Sequence, residues 1–313
     1  MTHRVLKIRL LLSLFVSAAL AACASSPRDN EPDIYGMLYD GESTAAYATA
    51  FPVDSPEEAY RNGDLSARAG DFDRALFEYI RGLRLEEEPV ADPLFRIGSI
   101  HHQRGNHQLA EMAYAWALDV DPDHGAAGTG LGTLLLEARQ YEAAEEQLRS
   151  VVRAGNATWR THNTLGILMD LGGRFEAAGR HYRLALETSP QSYVVLNNLG
   201  YSRYLAGDRE GAHDALASAL RVNANYELAW RNLGLVHARD GNFDEALDAV
   251  ARSGSRAEAY NDIGYLSMLN GRYADAEYFF REAMRLSPTY YVTASENAAH
   301  LERRKRRNAV SQR

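Results

Sequence analysis

From Pro56 onward, apolar and small residues recur at helical spacing in blocks of two amphipathic segments, each block closed by turn-forming residues. Aligned on their small residues, the blocks begin at 56, 91, 125, 159, 193, 227 and 257, with spacings of 35, 34, 34, 34, 34 and 30. The eighth position of each block is glycine: Gly63, Gly98, Gly132, Gly166, Gly200, Gly234 and Gly264. The twentieth is alanine: Ala75, Ala110, Ala144, Ala178, Ala212, Ala246 and Ala276. Small residues at these two places let paired helices approach closely, and large residues such as Ile97, Leu131, Leu165 and Leu233 just before the glycine fill the contact.

Breaks fall where helices should end. Gly70, Gly105, Gly173, Gly207, Gly241 and Gly271 occupy the fifteenth position, where a left-handed residue closes a helix and glycine adopts it at least cost; Arg139 alone departs. Pro122, Pro190 and Pro288 follow second helices, since proline cannot continue the hydrogen-bond ladder. Bulky residues recur at the fourth position (Leu196, Trp230, Tyr260) and the twenty-fourth (Tyr79, Tyr114, Tyr182, Phe280). The pattern predicts an all-α chain of seven helix pairs over 56–288. Block six is four residues short at Arg252–Ser255, which predicts a truncated second helix and a bend before block seven. Beyond Pro288, Tyr291, Ala294, Ala298 and Leu301 predict a closing helix within 289–313, with a basic tail from Arg303 to Arg307.

A period of 34 residues with this small-residue signature resembles the tetratricopeptide repeat family over residues 56–288. The resemblance implies an α-solenoid, a right-handed superhelix of about seven helix-turn-helix repeats with a C-terminal capping helix. It also implies a concave surface lined by first-helix positions two, five, six, nine, twelve and thirteen. Here those positions supply Arg160, Asn163, Asn197, Asn198, Tyr201, Tyr204, Arg231, Asn232, Asn261, Asp262 and Tyr265 as candidate partner-binding residues. Asparagine presents donor and acceptor together, so a row can clamp an extended peptide backbone, while tyrosine adds rigid apolar area. The same asparagines can instead bond neighbouring helices, and both readings stand. On the partner-binding reading, Asn198→Ala with Asn232→Ala weakens binding with little change in melting temperature.

Residues 1–22 are different. Arg4, Lys7 and Arg9 precede an apolar run from Leu10 to Leu20 that is short for a membrane span and reads as a secretory signal. The run ends Leu20-Ala21-Ala22-Cys23, which resembles the bacterial lipoprotein cleavage box and makes Cys23, the chain's one cysteine, the expected lipid attachment point. That class implies outer-membrane sorting, because Ala24 follows the cysteine, and a fold facing the periplasm. Residues 23–55, with Pro27, Pro32, Pro52 and Pro56 at its edge, read as a flexible tether of roughly 30 Å reach. Tyr35, Tyr39, Tyr47 and Phe51 are more aromatic than a tether requires, so part of it is expected to dock on the first helices or on a partner.

Charge narrows the function. Removing residues 1–22 takes three cations and no acid from a chain of formal charge −8, leaving −11; setting aside six cations in the last eleven residues leaves a body near −17. Such a body repels nucleic acid. His101 and His107 fall in slots that usually hold core aromatics, so no metal or cofactor site is expected there, and His102 is expected on the groove side. Gly128 to Gly132 lacks the strand and Lys ending of a phosphate loop and reads as a loosened first helix. A tether without a core cannot hold catalytic groups, so no enzyme is expected. Phrases such as Leu196–Tyr201 and Tyr260–Tyr265, with lipobox, tether and array length, resemble the TadD group of tight-adherence (Flp) pilus assembly lipoproteins. That resemblance implies a scaffold gripping a secretin, pilus or secretion component, with self-association open. A pilotin-like lipoprotein and an adaptor for envelope hydrolases or proteases are the alternatives.

Overall fold

The computed structural model describes residues 33–40, 53–287 and 291–311. The leader, Cys23, Tyr47, Phe51 and Pro288 lie outside the described residues. Among the described residues there are fifteen α-helices and no strand. The first helices of the seven repeats are α1 (Pro56–Arg68), α3 (Ala91–Gln103), α5 (Gly125–Glu137), α7 (Trp159–Leu171), α9 (Tyr193–Ala206), α11 (Glu227–Asp240) and α13 (Arg256–Leu269). Their partners are α2 (Phe72–Leu85), α4 (His107–Val120), α6 (Tyr141–Arg153), α8 (Phe175–Thr188), α10 (Arg209–Val222), α12 (Phe243–Ala251) and α14 (Tyr273–Leu286), and α15 (Val292–Ser311) closes the array.

Local chemistry sets the helix ends. The Ser55 hydroxyl accepts from the Glu58 amide at 3.2 Å ahead of Pro56, and Asp71 and Asp208 cap α2 and α10 in the same way. Ser255 and Glu258 form a reciprocal capping box on α13. The fifteenth-position glycines all have positive φ, and Arg139, which replaces one of them, adopts φ +58°, alone among the non-glycine residues described. The turn conformation is therefore kept even where the favoured residue is not.

Pairing rests on one contact repeated seven times. A Cβ added at Gly63, Gly98, Gly166 or Gly264 would lie 2.5–2.8 Å from the ring of Tyr79, Tyr114, Tyr182 or Phe280 in the partner helix. At Gly132, Gly200 and Gly234 the opposing side chain is Leu148, Leu216 or Val250, at 2.3–2.6 Å. The seven twentieth-position alanines are fully buried beside these contacts. From α3 to α13 each first helix also touches the first helix of the next repeat, and α13 touches the closing helix α15, so these helices form a continuous inner layer.

Three details differ from the sequence pattern or sharpen it. Gly125–Glu137 is a regular helix and is not loosened: Cβ atoms at Gly128 and Gly130 would meet Val151 and Tyr114 at 2.6 Å, so these glycines permit close approach. The truncation in repeat six is present, with α12 spanning 9 residues against 13 or 14 in the other second helices. His107 is not a core residue, its side chain being 58% exposed, whereas His101 is fully buried.

Part of the tether region is docked. Residues 33–40 carry a short 3-10 turn, Gly36–Leu38, laid against α2, α3 and α4. Leu38 is fully buried, and Tyr35 meets Trp116 edge-on at 6.2 Å. His101 Nε2 lies 2.9 Å from the Leu38 carbonyl. Both ends are clamped by charge: Arg84 Nε donates to Asp33 at 3.1 Å, and Arg104 and Asn106 hold Asp40. At the other end, α15 buries Ala294 and Leu301, and Lys305 bridges Glu277 and Glu302. Both ends of the array are thus covered, as a solenoid of stacked repeats needs.

Leu38→Asp places a carboxylate in an apolar slot and should remove about 2–4 kcal/mol of docking free energy. Hydrogen exchange should then show the amides of Leu38 and Tyr39, bonded to Tyr35 and Gly36 carbonyls, exchanging freely while α5 to α14 keep their protection. Unchanged exchange at those two amides would refute the docking.

Candidate partner-binding groove

The candidate stripe lies on the inner layer, where each helix presents one face to its neighbour and another to solvent. Neighbour contacts take up most of the amides. Asn232 Nδ2 donates to Asn197 Oδ1 at 2.9 Å, Asn197 donates to Asn198 at 3.2 Å, and Asn198 donates to Asn163 at 3.0 Å. The ladder therefore joins α7, α9 and α11. On α13, Asn261 accepts from Asn297 of the capping helix at 2.9 Å and donates to Asp262 at 3.3 Å. Hydroxyls do the same further forward, where Thr129 bonds Thr161 at 2.8 Å between α5 and α7.

Exposure then sorts the candidates. Asn197, Asn232 and Asn261 are 1%, 7% and 5% exposed, so their amides stiffen the wall and are not presented at its surface. Asn163 and Asn198 are half-buried within the same ladder. Tyr201 and Tyr265, at the ninth position of repeats five and seven, are each 39% exposed. Tyr201 stacks on half-buried Tyr204 with centroids 6.2 Å apart. Arg160 and Arg231 are exposed, Arg160 lying over the Trp159 ring at 4.4 Å. Asp262 is half-buried, and burial raises its pKa against the pull of Asn261 and Arg231.

Several surface residues were not singled out from the sequence. Leu171, Leu205 and Leu269 stand exposed at the thirteenth position of repeats four, five and seven, and Arg239, in the same slot of repeat six, lies over the Tyr204 ring at 5.2 Å. The position rule named that slot, so counting it through would have found them. Asp170 was also missed: Tyr182 and Ser202 donate to it at 2.8 and 2.6 Å, and burial raises its pKa. A tyrosine at position twenty-four reaches an acid on the first helix in repeat one as well, where Tyr79 donates to Asp64 at 2.7 Å.

The histidines are structural in their contacts. His102 lies between α3 and α5, with Nε2 2.9 Å from Glu137 and Nδ1 3.4 Å from the Tyr114 hydroxyl. His162 and His181 stack with their Nδ1 atoms 3.3 Å apart. Among the described residues no group of three or more His, Cys, Asp or Glu is placed to hold a metal ion.

Two outcomes follow for stability. Asn232→Ala removes the donor from a buried Asn197 oxygen, which should cost about 1–3 kcal/mol in urea unfolding; a change below 0.5 kcal/mol would mean the ladder does not bind the wall together. Burial lowers the pKa of both His162 and His181, and His162 lowers His181 further. Folding therefore favours the neutral rings. Their contribution is present above the unfolded value of about 6.5 and is lost as pH falls through the lowered folded values. The urea midpoint should drop between pH 7.5 and 5.5, and His181→Leu should reduce that drop; an equal drop in the variant would exclude the pair as its source.

Known proteins place the fold. Tetratricopeptide repeat models match residues 60–124, 95–157, 129–193 and 197–256, and a further one matches 257–290. Pseudomonas aeruginosa pilF superposes with TM-score 0.53 at 21% identity, over 67% of this chain and 97% of that one. A tetratricopeptide repeat protein from Parabacteroides merdae gives TM-score 0.55 at 14% identity, over 79% and 98%. In sequence, the photosystem I assembly protein Ycf3 of Synechococcus elongatus is 37% identical over 65 residues, 20% of this chain. That match spans 38% of the relative's own length. Repeat by repeat, from the glycine contact to the family models, the chain belongs to the tetratricopeptide repeat family.

Proposed function

We propose that this chain is a non-catalytic scaffold, held to a membrane by lipid on Cys23, which grips protein partners along the stripe from α7 to α13. The observation that carries this reading is the pair Tyr201 and Tyr265, large rings 39% exposed at equivalent positions on a wall whose amides are already satisfied. A stiff wall loses little entropy on binding, and tyrosine adds contact area with few rotatable bonds. Arg160, Arg231 and Arg239 supply donors around the rings, and Leu171, Leu205 and Leu269 supply apolar area.

The lipobox and Ala24 support an outer-membrane anchor with the array in the periplasm. Acyl chains contribute about 0.8 kcal/mol per buried methylene, so a lipoprotein's several chains anchor stably. Within that setting the reading is assembly of a Flp-type pilus or a secretion machine, with a secretin or pilus component as the client. A two-repeat similarity to a photosystem I assembly protein accords with an assembly role.

A photo-crosslinking amino acid at Tyr201 in living cells, with a control at the exposed Asp214 on α10, tests the groove. Crosslinks to a secretin or pilus component at Tyr201 alone are expected. Capture of a hydrolase or protease there would move the protein to an adaptor role, and equal labelling at both positions would refute the groove. Palmitate labelling should be seen in the natural chain and abolished by Cys23→Ser; labelling that persists in the variant would remove the lipid anchor from this reading.

A further inference from the structure

A second surface lies on the other side of the same repeats. Between α8 and the α9–α10 corner is an open cleft of about 390 Å³. Its lining includes buried Gly179 and Leu199, half-buried Phe175, and three arginines, of which Arg180 and Arg183 are exposed and Arg203 is half-buried.

Gly179 is the feature that sequence periodicity does not explain. Each eighth-position glycine faces a side chain that an added Cβ would strike at 2.3–2.8 Å, so helix packing demands it. Gly179, on a second helix, does not meet that condition: an added Cβ would meet one atom, Arg183 Nη1, at 3.5 Å, an ordinary contact. Glycine weakens a helix interior relative to alanine, and no neighbour here requires it. Gly179 is buried in the cleft lining, and the side chain nearest to its missing Cβ is that of Arg183.

The rim charge is unusual for this molecule. Arg180 and Arg183 are exposed, one turn apart on α8, and among the described residues neither lies within 4.0 Å of a carboxylate. Arg203 donates Nη1 to the Gly211 carbonyl at 3.0 Å, and its Nε lies 3.9 Å from Asp208. Glu176 and Asp208 share the rim, and Asp208 is also bound to the Gly211 amide as the cap of α10. Residues 149–203 carry seven arginines and three acids, whereas residues 54–92 carry five arginines and eleven acids. The cleft thus lies in a cationic zone of an acidic chain.

We propose that this cleft is a second binding site, which takes an acidic side chain flanked by apolar residues on a protein partner. Two neighbouring guanidinium groups can hold one carboxylate with paired, charge-assisted hydrogen bonds. Phe175 and Leu199 offer an apolar floor to the adjoining side chain. A polyanion is disfavoured, because the chain's net charge of −8 repels it while a single carboxylate meets the local arginines. The site stands beside the groove of α7 to α13 and does not depend on it.

A random peptide library screened against the mature chain tests the proposal. Peptides with Asp or Glu next to Leu, Phe or Ile should be enriched, and their binding should fall about tenfold or more with Arg180→Glu plus Arg183→Glu, and with Gly179→Leu, which fills the floor. Tyr201→Ala should leave those peptides bound and so separates the cleft from the groove. Circular dichroism establishes that each variant is folded, and Gly179→Ala should melt at or above the natural chain because nothing is displaced. The proposal is overturned if no acidic peptide is enriched, if the same peptides bind Gly179→Leu as well, or if Tyr201→Ala abolishes their binding. A marked fall in melting temperature for Gly179→Ala would overturn the open cleft itself.

Discussion

The array depends on how closely the two helices of each repeat approach. That distance is set where an eighth-position glycine meets the residue sixteen places later, a ring or a branched aliphatic with no room for a Cβ between them. A methyl group there would either push the helices apart or drive the ring off its rotamer, and either change propagates, because each first helix also packs on the next. The fully buried alanines at position twenty lie in the same contact plane. Where the opposing residue is tyrosine, the ring crosses the pair and its hydroxyl emerges against a polar group of the first helix, as in Tyr79 with Asp64 and Tyr182 with Asp170. Close approach and polar satisfaction therefore come from one residue.

Once the pairs are set, the inner layer must bond to itself. Side chains at positions three, five, six and nine are near enough across neighbouring first helices for asparagine and threonine to bridge them. Buried amides that satisfy one another give direction and register to a contact that apolar packing alone leaves free to slide. This leaves a wall whose exposed features are few: two tyrosines, arginines laid over or beside neighbouring rings and acids, and leucines at the helix ends. The ends of the array are closed by different devices, an acidic strap of eight residues at one and a 20-residue helix at the other. The strap shows how part of a proline-rich, nominally flexible stretch becomes ordered: Leu38 is anchored in a slot, and aspartates at both ends meet arginines already positioned by helices.

Much of this was legible in the residues. The period, the helix pairs, the short second helix after Val250 and the closing helix with Ala294 and Leu301 on its inner side all follow from spacing and small-residue placement. The concave stripe was legible as a set of positions but not as a surface. Asn197 and Tyr201 lie one turn apart on one helix, yet the first is buried in a bond to Asn232 while the second faces solvent. Periodicity assigns a face to a residue; it does not say which neighbour takes up its hydrogen bonds. For the same reason Gly128 and Gly130 looked like loosening and proved to be contact points, and His107 looked like core and is exposed.

By itself, then, the sequence determined the number of repeats, their turn points and their small contact residues, because these obey local rules of helix geometry that operate within one repeat. Tertiary structure alone decided which polar side chains are internal, that it is residues 33–40 of the tether that fold back on α2 to α4, and that Gly179 lines a cleft beside Arg180 and Arg183, which no described carboxylate reaches. Those outcomes depend on groups 20 or more residues apart, such as Gly179 with Leu199, Asn232 with Asn197 or Leu38 with His101, meeting across helices whose separation the glycine contacts set. Spacing along the chain carries no record of such encounters until the pairs are packed.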